Sequence, residues 1–169
     1  MKIVYQGSPG AYSHLAAKKI YPEYDFIPYN TFEECFKHCN ENEEHKTIIP
    51  VENSIAGRVA DIQYLINKYK LQIYAEHFQE IKHNLIILKD NELKNVKSVR
   101  SHSQAISQCQ KLINSYKFET IIAADTAGSA KYISEKKIKS EAAIASELAA
   151  KIYDLKIVKE NIEDNNSCL

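Results

Sequence analysis

Several short segments combine small, hydroxyl and amide residues where an apolar run gives way to a helical pattern. They are Gly7–Ser13, Glu52-Asn53-Ser54, Ser101-His102-Ser103-Gln104 and Thr126-Ala127-Gly128-Ser129. Each is predicted to start a helix, where backbone N–H groups that the helix does not use, together with the helix dipole, attract carboxylate or phosphate. In open α/β sheets such turns lie beyond the carboxyl ends of the strands, where ligands bind. Several of them facing one crevice would suit a small ligand with more than one carboxylate.

The same residue types also have a purely structural interpretation. Ser, Thr and Asn are common helix caps in the absence of any ligand. Glu52 and Asp125 would repel an anion if they pointed into a site, but they could equally orient their neighbours. His102 could donate a proton near neutral pH, although an isolated histidine is more often structural. Neither a P-loop nor a dinucleotide fingerprint occurs in the sequence, so the residues alone leave both interpretations open.

The elements that would position these turns alternate regularly. Apolar runs predict strands, and the helical patterns between them begin at capping signals such as Thr31 with Glu34, an expected capping box, and at Ser13 and Ser146. One apolar face, Ala105 to Ile113, predicts a single helix. The predicted strands are Lys2–Tyr5, Asp25–Tyr29, Thr47–Val51, Val96–Arg100, Thr120–Ala124 and Ala142–Ala145. Leu71–Ile81, Asn84–Leu88 and Lys156–Lys159 are predicted to be extended, and the first two could carry the chain from one lobe to another. This alternation predicts an α/β fold with largely parallel sheets.

Two cysteines at helical spacing raise the question of a metal site. Cys35 and Cys39 share an i, i+3, i+4, i+7 stripe with Phe32 and Phe36. Free cysteine often behaves as a small buried hydrophobe, and no second ligand pair follows at a zinc-like spacing. We therefore predict core packing for this stripe and no metal.

Charge and hydropathy limit the possible partners. The sequence has 22 basic and 22 acidic residues, so it lacks a general electrostatic attraction to nucleic acid or to anionic membrane. It contains no apolar run near the ~20 residues that span a bilayer, and its start does not read as a signal peptide. We expect a cytoplasmic protein that binds a small molecule, with no nucleic-acid or membrane partner.

Specific strings then carry a family resemblance. In chain order they are Gly7-Ser8-Pro9-Gly10-Ala11-Tyr12-Ser13, Ile49-Pro50-Val51-Glu52-Asn53-Ser54-Ile55, Ser101-His102-Ser103-Gln104-Ala105, Asp125-Thr126-Ala127-Gly128-Ser129-Ala130, Ala142-Ala143-Ile144-Ala145-Ser146 and Asn161-Ile162-Glu163-Asp164. Together they resemble the motifs of the prephenate dehydratase family. Ser103 stands where that family usually has proline.

The resemblance implies a fold and a domain organisation. It implies an α/β fold with two lobes, similar to a type 2 periplasmic binding protein, with an interlobe cleft. The first lobe would contain residues 1–76 plus 158–169, and the second would contain residues 77–157. The small regulatory ACT domain that usually follows in this family has no counterpart in the sequence.

The resemblance also implies an activity. The family consists of lyases of phenylalanine biosynthesis, which convert prephenate to phenylpyruvate, carbon dioxide and water without a cofactor. The residues expected to contact the substrate are Asn53, Ser54, Ser101, Gln104, Thr126 and Ala127. His102 is a weaker candidate for a catalytic role, and the small-molecule substrate is the expected partner.

The catalytic hydroxyl is expected beyond the printed sequence. In the family, the aspartate that matches Asp164 is followed by Asn-x-Thr-Arg-Phe, and Cys168 aligns with the asparagine. Thr-Arg-Phe would then begin after Leu169, and so we expect the chain as given to turn over slowly or not at all.

Other functions remain compatible with the sequence. The same cleft could hold an aromatic or dicarboxylate ligand without chemistry, as a binding protein. Arogenate could replace prephenate as the substrate. The family commonly forms dimers, so a homodimer is possible, whereas nothing in the sequence supports a purely structural subunit.

Overall fold

The computed structural model describes residues 1–165, which form two compact units. Unit 1 contains residues 1–8 and 12–80, and unit 2 contains residues 9–11 and 81–165. This division differs from the boundaries expected above, because residues 158–165 lie in unit 2. Cys168 and Leu169, which the sequence comparison singled out, lie outside the described residues.

Unit 1 is built around a small parallel sheet. Its elements are β1 (Lys2–Gln6), α1 (Tyr12–Ile20), β2 (Asp25–Tyr29), α2 (Phe32–Glu41), β3 (Lys46–Ile48), β4 (Glu52–Asn53), β5 (Gly57–Arg58) and α3 (Ile62–Tyr69). β1 lies between β2 and β3 and is parallel to both, while β4 and β5 form a separate antiparallel hairpin. Ser13, expected to cap the first helix, lies inside it, since α1 begins at Tyr12.

The second helix of unit 1 follows its sequence signals. Thr31 and Glu34 form the predicted capping box, in which each side chain bonds the other residue's backbone N–H. Cys35 and Cys39 are buried on its inner face, as the apolar stripe predicted. Burial raises the pKa of the Cys35 thiol to about 12 and that of Cys39 to about 11, because it disfavours the thiolate.

Unit 2 is larger and contains a mixed sheet. Its elements are, in chain order, β6 (Asn84–Leu88), a short 3-10 helix (Leu93–Asn95), β7 (Ser98–Ser101), α4 (Ser103–Ser107), α5 (Gln110–Tyr116), β8 (Glu119–Ile122), α6 (Thr126–Lys136), β9 (Glu141–Ala145), α7 (Glu147–Ile152) and β10 (Leu155–Lys159). The strand order is β10-β6-β9-β7-β8. β9, β7 and β8 run parallel, whereas β6 is antiparallel to β9 and β10. The α/β prediction is therefore confirmed, with one parallel and one mixed sheet.

The core of unit 2 lies on both faces of this sheet. All five residues of β6 are buried, and successive side chains of a strand point to opposite faces. Leu85 and Ile87 pack with the α4–α5 side, while Ile86 and Leu88 pack with α6 and α7. A strand covered on both faces reads as a continuous apolar run, which is why the sequence indicated an extended segment here. It was expected to connect two lobes, and the structure instead places it between β10 and β9.

One predicted helix is divided in the structure. The face from Ala105 to Ile113 predicted a single helix, but α4 ends at Ser107 and α5 begins at Gln110. Gln108 and Cys109 lie between them. The interactions that divide the helix come from the far end of the chain and are described below. In the part of the chain described, no helix has the length and apolar character needed to cross a membrane.

Candidate functional site

Two of the predicted turns lie at one edge of the unit 2 sheet. β7 and β8 are parallel neighbours, with Ser101 opposite Ile122. The turn after β7 starts α4, and the turn after β8 starts α6. Because both turns follow the carboxyl ends of adjacent parallel strands, they lie side by side where open α/β sheets bind ligands.

Ser101 anchors this edge from inside the sheet. Its side chain is fully buried, and its hydroxyl donates to the carbonyl oxygen of Ile144 in β9 at 2.6 Å. Its own carbonyl oxygen accepts the N–H of Ala123 at 2.8 Å. Ser101 thus bonds to β9 on one side of β7 and to the residue after β8 on the other, and these bonds fix the start of the turn.

His102 and Gln104 form the exposed part of the same turn. His102 is the N-cap of α4, and its Nδ1 accepts the backbone N–H of Gln104 at 3.3 Å. An Nδ1 that accepts a hydrogen bond leaves the proton of the neutral imidazole on Nε2, a tautomer inferred from this contact. His102 is half-buried and Gln104 is exposed, so this ring can donate a proton and the neighbouring side-chain amide can form a hydrogen bond with a ligand.

The second turn presents the start of α6. The carboxylate of Asp125, its N-cap, accepts the backbone N–H of Gly128, and a Cβ at Gly128 would lie 2.7 Å from that carboxylate. Asp125 therefore caps its own helix. The side chain of Ala127 is buried in the core, whereas Thr126 is half-buried. Since the first N–H groups of a helix have no acceptor inside it, those of Thr126 and Ala127 are the candidate anion donors of this turn, and Thr126 is the more accessible of the two residues.

The Asn53-Ser54 segment has a different structure from the one expected. It does not start a helix, because α3 begins only at Ile62; it forms the β4–β5 hairpin, in which Asn53 lies opposite Gly57. The Asn53 side-chain oxygen accepts the N–H groups of Ile55 at 3.0 Å and Ala56 at 2.9 Å. This local bonding and the positive φ of Gly57 (78°) favour a turn over a helix.

The glycine-rich turn near the start of the chain contributes to the packing of unit 2. Gly10 has φ 95°, and a Cβ on it would lie 2.6 Å from the Cα of Ala149 in α7. Its carbonyl oxygen accepts the hydroxyl of Ser146 at 2.6 Å, and the oxygen of that hydroxyl accepts the N–H of Ala149. Ser146 is thus the predicted cap of α7. Glycine is required at position 10 because the backbone of the turn approaches the start of this helix closely.

The structure therefore groups some predicted residues and not others. In unit 2 it brings together Ser101, His102, Gln104, Thr126 and Ala127 at one sheet edge. Asn53 and Ser54 belong to unit 1. Within residues 1–165 there is no group of three or more His, Cys, Asp or Glu residues that could hold a metal ion.

Sequence reasoning missed a buried polar group behind α4. His83 is 3% exposed, and its Nε2 lies 2.9 Å from Oε1 of Gln108. The carboxylate of Glu163 accepts the backbone N–H of His83 at 2.9 Å. Burial lowers the pKa of His83, opposed by its contacts with Gln108 and Glu163. No local pattern marks these residues, because their partners are 25 and 80 residues away in the sequence.

Comparison with known proteins places this arrangement in a family. The prephenate dehydratase family model matches residues 3–168. A bifunctional N-acyl-homoserine lactone acylase/prephenate dehydratase of Komagataeibacter europaeus is 34% identical over 162 residues, which are 96% of this chain and 58% of that protein. Arogenate dehydratase/prephenate dehydratase 2 of Arabidopsis thaliana is 33% identical over 165 residues, 98% of this chain and 43% of that protein. The chain thus spans about half the length of these relatives.

A solved structure agrees with the sequence matches. The crystal structure of the prephenate dehydratase of Staphylococcus aureus resembles this fold with a TM-score of 0.83 at 25% identity, over 99% of this chain and 62% of that one. The resemblance inferred from the motifs is therefore confirmed by a family model that spans nearly all of the sequence and by a shared fold. On this evidence the chain belongs to the prephenate dehydratase family.

Proposed function

We propose that the protein to which this sequence belongs converts prephenate to phenylpyruvate, carbon dioxide and water, as a lyase of aromatic amino-acid biosynthesis. Family membership supports this proposal, and so do the names of the two relatives described above, both of which include prephenate dehydratase. The observation that carries it is structural: two turns able to bind anions follow the adjacent parallel strands β7 and β8.

These turns match the chemistry of the substrate. Prephenate carries two carboxylates and a ring hydroxyl. In unit 2, the first N–H groups of α6, at Thr126 and Ala127, would bind one carboxylate, and the exposed amide of Gln104 would bind a polar group beside it. Ser101 would position this turn from its buried site. In unit 1, Asn53 and Ser54 remain the proposed substrate contacts.

The reaction requires one proton at a defined place. The ring carboxylate leaves as carbon dioxide, its bonding electrons complete the aromatic ring, and the carbon–oxygen bond to the ring hydroxyl breaks. Hydroxide is a poor leaving group, so a donor must share a proton with it, and water forms. Among the described residues, the Nε2–H of His102 is the candidate donor. Aromatisation supplies the driving force, so the proposed reaction uses no cofactor.

The binding part of the proposal is tested with matched variants. We expect Gln104→Ala to raise the dissociation constant for prephenate about tenfold or more, since it removes a polar contact. Ser115→Ala, an exposed serine on α5 that bonds only its own helix at Leu112, is expected to leave the dissociation constant unchanged. Isothermal titration calorimetry measures both. Equal affinity in the wild type and in Gln104→Ala would remove Gln104 from the site.

The catalytic part is tested by product formation. Phenylpyruvate release is measured with the chain as given and with the full protein, and a His102→Gln variant is included. If His102 is the donor, the variant of the active form loses about 10²–10⁴ in kcat. If His102→Gln forms phenylpyruvate at the wild-type rate, another residue donates the proton. The same assay tests the expectation that residues 1–169 alone form phenylpyruvate slowly or not at all.

Alternative ligands are separated in parallel assays. A melting shift with prephenate but no product from the full protein would favour the non-catalytic binding protein. Product from arogenate but not from prephenate would identify the amino-bearing substrate. The acylase named for the Komagataeibacter relative is tested with an N-acyl-homoserine lactone under the same conditions.

Location and assembly are also proposals. We propose a cytoplasmic location, supported by the buried free thiols of Cys35, Cys39 and Cys109, since unoxidised cysteines are typical of reducing compartments. Cell fractionation with an antibody tests it. We propose a homodimer because the family resemblance implies one. Light scattering after size-exclusion chromatography measures the mass, and a monomer over the micromolar range would refute it.

A further inference from the structure

The start of α5 is capped by a residue from far along the chain. Its N-cap residue, Cys109, makes no side-chain hydrogen bond to it. The two carboxylate oxygens of Asp164 accept the backbone N–H groups of Gln110 and Lys111, each at 3.0 Å. The Lys111 ammonium also donates to the carbonyl oxygen of Asp164 at 3.1 Å. A carboxylate at a helix start is favoured by the N–H groups and by the helix dipole.

Asp164 forms hydrogen bonds with backbone groups that a continuous helix would use for its own hydrogen bonds. In such a helix the N–H groups of Gln110 and Lys111 and the carbonyl of Gln108 would bond four residues along the chain. Asp164 takes both N–H groups, and its own N–H donates to the carbonyl oxygen of Gln108 at 2.6 Å. The Gln110 side chain takes the carbonyl of Ile106 at 2.8 Å. The helix therefore divides although the apolar pattern favours its continuation.

A series of hydrogen bonds links this cap to the candidate site. Asp164 donates to the carbonyl of Gln108, whose N–H donates to the carbonyl of Gln104 at 3.1 Å. The N–H of Gln104 donates in turn to Nδ1 of His102. All these residues lie in unit 2, so a continuous series of hydrogen bonds joins Asp164 to the turn through α4.

The segment that carries Asp164 is firmly anchored. Ile162 packs into the core of unit 2, and its N–H donates to the carbonyl of His83 at 2.9 Å. Glu163 accepts the N–H of His83, whose side chain contacts Gln108. Gln108 is consequently held on one side by His83 and on the other by Asp164.

We propose that Asp164 is a positioning residue for the turn at residues 101–104. By dividing the helix and holding Gln108, it sets where α4 begins and therefore where His102 and Gln104 are presented. Without it, α4 and α5 would move toward one continuous helix and rotate that turn. The effect on substrate rests on the proposed function, whereas the effect on the turn does not.

The structural arm uses backbone amides as the readout. The ¹⁵N–¹H spectrum and amide hydrogen exchange are measured for the wild type, Asp164→Ala, Asp164→Asn and the control Asn91→Ala. Asn91 is buried and donates to the carbonyl of Lys139, next to the start of β9, at the end of the sheet opposite the turn. Asn91→Ala also removes side-chain hydrogen bonds within unit 2, so it controls for general destabilisation at a position away from the turn.

The proposal predicts a specific pattern. Asp164→Ala removes the carboxylate but keeps the backbone N–H that donates to Gln108. Exchange at Gln110 and Lys111 rises about fivefold or more, as loss of a helix cap requires, and the amide resonances of Gln104 and Gln108 shift because α5 can extend toward α4. Asp164→Asn keeps one acceptor oxygen and shows smaller changes, and it also serves if the alanine variant does not fold. Asn91→Ala leaves the resonances of residues 102–108 in place. Unchanged resonances at 102–108 in both Asp164 variants would reduce Asp164 to a cap of α5 and overturn the proposal.

The ligand arm connects the turn to binding. Calorimetry with prephenate is expected to give a dissociation constant about tenfold weaker for Asp164→Ala, a partial recovery for Asp164→Asn, and wild-type affinity for Asn91→Ala. If the wild type binds no prephenate, the proposed function fails, and the amide shifts still decide the positioning role. If the wild type binds and all variants bind equally, the positioning role is wrong and the proposed function stands.

Discussion

Replacing Gly10 by alanine tests how closely the glycine-rich turn packs on α7. A Cβ at this position would lie 2.6 Å from Cα and 2.8 Å from Cβ of Ala149, which is well inside van der Waals contact. Overpacking of this kind costs about 1–3 kcal/mol. The backbone of Gly10 has φ 95°, and conformational strain on a side chain there destabilises the fold by about 1–2 kcal/mol. Alanine also reduces the conformational freedom of the unfolded chain, which offsets up to about 1 kcal/mol of this loss. We expect a net loss of about 1–5 kcal/mol of folding stability.

The chain supplies a matched control for the backbone term. Gly57 also has a positive φ, 78°, but a Cβ on it would meet no atom within 4 Å. Gly57→Ala therefore carries only the conformational strain, about 1 kcal/mol. Urea denaturation followed by circular dichroism measures the free energy of unfolding of both variants and of the wild type, and the difference between the variants reports the contact with Ala149.

Two outcomes bear on the reasoning. A loss in Gly10→Ala that exceeds the loss in Gly57→Ala by about 1–3 kcal/mol supports the close approach. Equal losses in the two variants would mean that the turn does not pack against the start of α7, and the account of this motif as part of unit 2 would be refuted.

Two further predictions concern buried polar groups. Burial lowers the pKa of His83 below its ordinary 6.5, so the unfolded chain binds this proton more readily; stability is full above about pH 6.5 and falls by at most about 1.4 kcal/mol per pH unit below it. Urea titrations at several pH values should show that the free energy of unfolding of His83→Gln falls less at acid pH than that of the wild type. An identical fall in the two proteins would mean that another group takes up the proton. Ser101→Ala should cost about 1–3 kcal/mol, because the carbonyl of Ile144 loses its donor, against a change within about 0.5 kcal/mol for exposed Ser115→Ala; equal values for the two would contradict the anchoring role.

The parts of the fold that could be predicted are those with local causes. The capping box at Thr31 and Glu34 spans four residues, and β6 is a continuous apolar run because both of its faces are covered. The stripe with Cys35 and Cys39 is buried as its spacing requires. In each case the pattern that stabilises the element lies within the element, so the sequence displays it directly.

The candidate site was only partly predictable for the same reason. The turns at Ser101–Gln104 and Thr126–Ala127 were identified from their residue types, and the parallel pairing of β7 with β8 explains why they lie together. The hairpin at Asn53 was mistaken for a helix start, since the residues that cap helices also bond turns. Ser101 was expected to contact the substrate; its side chain is buried and its hydroxyl bonds to Ile144 in β9, an interaction that its sequence neighbours do not reveal.

By itself the sequence determined the family, most strands and helices, and the residue types at the turns. Tertiary structure decided which turns share a sheet edge, and it decided that the helix after β7 divides at Gln108. Asp164 makes that division from 54 residues away. Propensities and apolar periods record interactions over a few residues, whereas a distant carboxylate can reach a helix start only after the chain has folded around its core.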